Sequence, residues 1–155
     1  MLTAFTAFGI FGGCTTARWY LNRSSRRKRE LLGGRIQTTA VWNAGAAFSL
    51  PVPAEALPLA SSALLALLWR RRRQSPVGIG LILGGGMSNL WERLRCGRVY
   101  DYIQFPKAPG PLHRYVFNLA DISIFLGGLT LAAKSACPRM PGHSGASRAV
   151  DRGGI

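Results

Sequence analysis

The chain has 155 residues, enough for one domain and too few for two ordinary ones. Lys and Arg number 20 against 6 Asp and Glu, a net charge of +14, yet 48% of the residues are hydrophobic and the mean hydropathy is +0.13. That combination argues against a disordered basic tail, which would be poor in apolar residues. Cys14, Cys96 and Cys137 are odd in number and form no CxxC pair, which argues against a disulfide scaffold or a zinc site. What remains is a small membrane protein with basic residues between apolar spans.

The first span covers roughly residues 2–21 and is rich in Phe, Ala, Gly and Thr, with Arg18 near its end. No basic segment precedes it and no small-x-small site precedes a soluble domain, so it reads as a retained helix, or a damaged version of one, rather than a secretory signal. Asn22–Arg35 is strongly basic. Gln37–Trp42 carries Thr, Thr, Val and Trp, which predicts a short strand and a small extramembrane sheet before the second span. That span, roughly 44–69, is broken in front by Pro51, Pro53, Glu55 and Pro58, and then runs clean over Leu59–Trp69 until Arg70–Arg73 stops it.

The third span is roughly 75–91 and the fourth roughly 115–133. Both approach the about 20 apolar residues that a helix needs to cross the hydrocarbon core. Between them Leu94–Arg114 reads as a loop. From Lys134 onward the chain is rich in Gly, Ser and Pro and is expected to be disordered. The expected fold is therefore an all-α membrane protein. Four transmembrane helices and a small extramembrane β-cradle before the second would form one domain over 1–133, followed by a basic tail over 134–155.

With the N-terminus inside, four spans place Arg70–Arg73, Lys134, Arg139, Arg148 and Arg152 in the cytoplasm. These are 8 of the 20 basic residues, and the positive-inside rule favours the reverse orientation.

The six acids are Glu30, Glu55, Glu92, Asp101, Asp121 and Asp151. An ionisable residue inside an apolar span is expensive and marks a functional site by default. Asp121 lies in the fourth span, three residues after Asn118, so the two share a helix face. Asp101 follows the third span. Antiparallel neighbouring spans would bring Asp101 and Asp121 together at one membrane face. Two close carboxylates share a proton and titrate as a unit. That is the requirement of aspartic proteolysis, in which one carboxylate activates water and its protonated partner polarises the scissile carbonyl. The plainer reading makes Asp121 a helix cap and Asp101 an ordinary loop acid.

In the third span Gly85, Asn89 and Arg93 recur every four residues along one stripe. Gly84-Gly85-Gly86 permits close backbone approach. Asn89 and Arg93 can hydrogen-bond a substrate, although Arg93 can also reach to the interface. Asn43 opens a run of small residues before the second span and also suits a turn or cap.

Four segments occur in order: Asn43-Ala44-Gly45-Ala46-Ala47-Phe48, Gly85 to Arg93, Val99-Tyr100-Asp101-Tyr102-Ile103 and Phe117-Asn118-Leu119-Ala120-Asp121. Together they resemble the lipoprotein signal peptidase (signal peptidase II) family over roughly residues 40–133. The resemblance implies an intramembrane aspartic protease of the bacterial inner membrane, multi-pass, with its active site near the periplasmic face. Such an enzyme removes the signal peptide of prolipoproteins before a diacylglyceryl-modified cysteine. It implies Asp101 and Asp121 as the catalytic dyad, and Asn43, Gly85, Asn89, Arg93, Asn118 and Ala120 around the substrate. It implies no metal and no cofactor. The partners would be the lipid-modified substrate and membrane lipid, with no nucleic acid.

This sequence departs from the family pattern at three places. Glu92 stands where Asp is usual, next to the Arg93 it would be expected to orient. Cys14 stands four residues before Arg18, where the family has an Asp and a Lys, and Ala17 replaces a hydroxyl residue. Two alternatives follow: a catalytically degenerate homologue, or a non-enzymatic helical bundle using the same glycines for packing. A third reading, binding of RNA or anionic lipid through Arg23–Arg35 and Arg70–Arg73, leaves the apolar spans unexplained.

Overall fold

A computed structural model describes residues 1–23, 29–45 and 56–136. Its elements in chain order are α1 (Leu2–Leu21), β1 (Arg29–Leu31), β2 (Ile36–Asn43), α2 (Ala56–Arg70), α3 (Pro76–Cys96), β3 (Val99–Gln104), a short 3-10 turn (Gly110–Arg114), β4 (Val116–Phe117) and α4 (Leu119–Ala136). The helices coincide closely with the apolar spans. The front half of the expected second span, with Pro51 and Pro53, lies outside the described residues.

Glycine sets the helix spacing. A Cβ on Gly80 would meet Thr3 and Thr6, and one on Gly84 would meet Ala7 and Ile10, so α1 and α3 run parallel in close contact. On another side of α3, Gly78 meets Gly127 and Thr130 while Gly85 meets Ala120 and Ser123, so α4 runs antiparallel to it. Gly86 faces Leu65 of α2. One helix thus packs against three others, because its small residues are divided among three faces. The core is thin: Ala7, Ile79 and Leu83, with Leu65, Leu68 and Leu131 packed around them.

The outer faces are apolar. Phe5, Phe8, Leu59, Leu64, Leu67, Val77, Met87, Phe125, Leu126 and Leu129 are all exposed. No residue of α2 is buried. This is a bundle that leaves its large apolar side chains pointing outward, as a lipid-facing surface does. Among the described residues α4 alone is long and apolar enough, by length and composition, to cross a membrane, and α2 is a shorter apolar helix.

The four strands form one antiparallel sheet in the order β1-β2-β3-β4. β2 confirms the strand expected at 37–42. The sheet, however, is not confined to the segment before the second span. Half of it comes from Leu94–Arg114 and its continuation, which reads as a loop in the sequence. There α3 first runs on to Cys96 and stops at Gly97, whose φ of +69° favours a residue without a Cβ. Val-Tyr-Asp-Tyr-Ile then pairs with β2, Val41 opposite Asp101 and Asn43 opposite Val99. The expected tail also starts late: Lys134 to Ala136 belong to α4, and residues 137–155 lie outside the described residues.

Candidate functional site

The site forms where the sheet meets the first turn of α4. Asp101 is carried by β3 and is 3% exposed. Val41 is its register partner, and Asn43, two residues further along β2, lies on the same face of the sheet. The Asn43 side-chain amide donates to Asp101 Oδ2 at 3.1 Å. Asn43 Oδ1 accepts from the Gly45 backbone N–H at 2.9 Å.

Asn118 is the residue just before α4 and lies beside Asp121, as the three-residue spacing suggests. It caps the helix. Its Oδ1 accepts the Asp121 backbone N–H at 3.0 Å, and Asp121 Oδ2 accepts the Asn118 backbone N–H at 2.9 Å. This is the reciprocal arrangement of a capping box. Tyr102 of β3 adds a further acceptor, its hydroxyl taking the Leu119 N–H at 3.2 Å.

The Asn118 side-chain amide then joins the two acids. It donates to Asp101 Oδ1 at 2.8 Å and to Asn89 Oδ1 at 3.2 Å. Asn89, on α3, donates to Asp121 Oδ1 at 2.8 Å. All four carboxylate oxygens are therefore met, by donors from three asparagines. Asn118, Asp101 and Asn89 are buried, while Asp121 and Asn43 at the edge of the network are half-buried.

Burial pushes the Asp101 carboxyl up to about 6, and the charge on Asp121 pushes in the same direction. The Asn118 and Asn43 donors and the Arg93 guanidinium oppose the rise. Burial likewise lifts the Tyr102 hydroxyl to about 12, so it stays protonated.

The remaining positions divide into two sets. Arg93 reaches the site: its Nη2 donates to the Gly45 carbonyl at 3.2 Å, and its buried Nε has no hydrogen-bond partner among the described residues. Gly85 and Ala120 lie instead at the contact between α3 and α4. A Cβ on Gly85 would stand 2.5 Å from the Ala120 carbonyl. Ala46, Ala47 and Phe48 lie outside the described residues.

Glu92 does not orient Arg93. Its Oε2 pairs with Arg18 Nε at 2.8 Å and accepts the Tyr100 backbone N–H at 3.1 Å. Ser88, Tyr100 and Tyr102 were not legible as parts of the site. One signal did exist for Ser88: it precedes Glu92 by four residues, as Cys14 precedes Arg18. Among the described residues no cluster of His, Cys, Asp and Glu suits a metal ion.

A family model described as signal peptidase (SPase) II matches residues 7–137. The chain belongs to the signal peptidase II family. Three relatives, each named lipoprotein signal peptidase, illustrate the distance. The one from Syntrophomonas wolfei is 37% identical over 114 residues, covering 68% of this chain and 72% of the relative. That from Nitrobacter hamburgensis is 35% identical, covering 58% and 62%, and that from Methylorubrum extorquens is 35% identical, covering 65% of each. The chain thus spans somewhat under two thirds of the latter two.

Two solved structures titled as bacterial membrane enzymes, determined by the in meso method at 1.9 and 2.3 Å, share the fold. Their TM-scores are 0.73 and 0.74 at 18% identity. They cover 84% and 90% of this chain, which in turn covers 90% and 93% of theirs. The helical bundle with its small antiparallel sheet is therefore a fold found in solved bacterial membrane enzymes.

Proposed function

We propose that this chain is an aspartic endopeptidase that removes the signal peptide of prolipoproteins, with Asp101 and Asp121 as its catalytic pair. Membership of the signal peptidase II family supports the activity. The single observation that carries the assignment of the pair is the bridging asparagine. Asn118 holds Asp101 through its side chain and Asp121 through its backbone, within one connected network. Asp101, raised to about 6, exchanges its proton near neutral pH.

In this reading the pair holds one proton between two carboxyl groups. The ionised member takes a proton from water as it attacks the scissile carbonyl, and the protonated member donates to the carbonyl oxygen. A tetrahedral diol results. In its collapse the C–N bond breaks, the newly protonated carboxyl gives its proton to the leaving nitrogen, and a diol hydroxyl returns a proton to the ionised carboxylate. Asn89 and Asn118 keep the carboxyl groups aimed, while Asn43 and Arg93 hold the Gly45 segment beside them. Gly85 and Ala120 act by letting α3 and α4 approach, which fixes where Asn89 meets Asp121.

The substrate class is a prolipoprotein whose cysteine carries a diacylglyceryl group, with cleavage just before that cysteine. The acyl chains stay in lipid against the apolar outer faces of the bundle, while the peptide bond reaches the sheet end. The four helices are the spans, residues 1–133 act as one membrane-embedded unit, and the active site lies at the outer face of the bacterial inner membrane. The partners are this substrate and membrane lipid. Nucleic acid has no part in the reading.

The test is cleavage of a diacylglyceryl-modified prolipoprotein by the purified protein in lipid, with Asp101→Asn and Asp121→Asn beside it. Cleavage lost in both variants supports the pair. Near-wild-type turnover in either folded variant sinks it, and no cleavage by the folded wild-type protein favours a degenerate homologue.

A further inference from the structure

A second polar cluster lies between α1 and α3, outside the carboxylate network. Cys14 and Arg18, one turn apart on α1, face Ser88 and Glu92, one turn apart on α3. The parallel run of the two helices keeps the pairs in step. Cys14 is 1% exposed and lies beside Ser88. Arg18 Nη2 donates to Ser88 Oγ at 3.4 Å, and Arg18 Nε pairs with Glu92 Oε2 at 2.8 Å. The side chains of Arg18 and Glu92 are 14% and 5% exposed. A pair so far from water contributes little net stability compared with apolar side chains of the same size. Its location therefore needs another reason.

The reason lies in the other bond to Glu92. The same Oε2 accepts the backbone N–H of Tyr100 at 3.1 Å. Tyr100 is 1% exposed and immediately precedes Asp101. Glu92 is thus a buried hinge pin joining α1, α3 and the strand that carries Asp101. With α3 ending at Cys96 and β3 starting at Val99, only the last turn of α3 and the two residues Gly97 and Arg98 separate Glu92 from that strand. The carboxylate fixes the strand's distance from the helix, and Arg18 fixes the carboxylate.

We propose that Arg18 and Glu92 are positioning residues for the peptidase reaction. They set the placement of Asp101 relative to Asp121 through the Tyr100 backbone N–H. The proposal rests on the reading of Asp101 as catalytic. It gives the departures at Cys14 and Glu92 a shared role: the α1 position that could have held a second acid is a small buried thiol, and the longer Glu92 side chain takes Arg18 directly.

The experiment compares Arg18→Gln, Glu92→Gln, the double variant and Arg18→Lys in cleavage of a diacylglyceryl-modified prolipoprotein. Thermal unfolding in the same lipid identifies the folded fractions. Displacement of a reacting group by about 1 Å costs on the order of 100-fold in rate. The folded single variants should therefore lose roughly 10–100-fold in kcat, with KM little changed and the pH–rate profile displaced. Arg18→Lys, which keeps the charge, should recover part of the loss. The double variant should be no worse than the worse single one, because the two residues act as a unit.

A folded Glu92→Gln enzyme with wild-type kcat and pH profile overturns the proposal. So does a loss confined to stability or to KM. If Glu92→Gln does not fold, the kcat and pH profile of Arg18→Gln decide the matter in the same way. Asp101→Asn runs in parallel. Turnover retained there sinks the catalytic reading, whereas an inactive Asp101→Asn beside an unaffected Glu92→Gln sinks the positioning role alone.

Discussion

Asn118 and Asp121 cap each other: each backbone N–H is taken by the other's side-chain oxygen, at 2.9 and 3.0 Å. The plain reading of Asp121 as a helix cap and the chemical reading of it as a reacting acid are thus both satisfied by one geometry. One carboxylate oxygen closes the helix end and the other faces Asn89. The cap also fixes Asn118, whose amide reaches the second acid. Local helix chemistry and the placement of the two carboxylates are one structural device.

Asn118→Ala should therefore cost both stability and rate. Loss of an N-cap side chain costs about 1 kcal/mol, up to about 2, and leaving the buried Asp101 oxygen without its donor adds about 1–3 kcal/mol. Thermal unfolding in lipid should show a clear loss, and cleavage should fall by at least about 100-fold as the acid loses its orientation. An Asn118→Ala protein with unchanged unfolding and turnover would contradict the bridging role.

The pH dependence of stability follows from Asp101. Its carboxyl is raised from 3.8 to about 6, so the folded state binds the proton more tightly than the unfolded state. The stabilisation is fully present below pH 3.8 and is lost as the pH rises through about 6. A shift of about two units corresponds to about 3 kcal/mol. Asp101→Asn removes this titration. Any cost of its altered hydrogen bonds is independent of pH and cancels in the slope. Unfolding measured from pH 4 to pH 8 should show the wild-type protein losing stability relative to Asp101→Asn, and parallel curves would be the contrary result.

The helices were legible because apolar length is a one-dimensional property, and the spans fall within a few residues of α1, α3 and α4. The pairing of Asp101 with Asp121 was legible for the same reason, since adjacent antiparallel spans bring their connecting ends together. Half of the sheet was not. Val99–Gln104 offers one short run between Arg98 and Phe105-Pro106, and its strand character depends on β2 lying opposite. The partner of Glu92 was hidden as well. Sequence adjacency suggests Arg93, but neighbours on a helix point about 100° apart, and the carboxylate turns to α1 instead.

Asn43 tunes the same acid. Its amide donates to Asp101 Oδ2 and lowers the carboxyl's affinity for a proton. Asn43→Ala removes a hydrogen bond to a charged group, and the Asp101 titration should move further up, by about one pH unit. The limb of the pH–rate profile that reports Asp101 should move to higher pH in that variant. A fixed profile would mean that the kinetic limb belongs to another group.

Gly85 provides a purely steric test of the helix contact that aligns the site. A methyl group there would stand 2.5 Å from the Ala120 carbonyl and 3.0 Å from Ile124. The Ser123 hydroxyl is nearer still, and because the Ala120 carbonyl is backbone, α4 itself must shift. Overpacking of this kind costs about 1–3 kcal/mol, and the shift would carry Asp121 away from Asn89. Gly12 on α1 has nothing within 4 Å of the same added methyl, and alanine there should stabilise the helix by about 0.5–1 kcal/mol. Gly85→Ala should therefore lose both unfolding temperature and cleavage rate, while Gly12→Ala keeps its rate and unfolds no earlier than the wild-type protein. Equal behaviour of the two variants would show that close approach of α3 and α4 does not align the carboxylates.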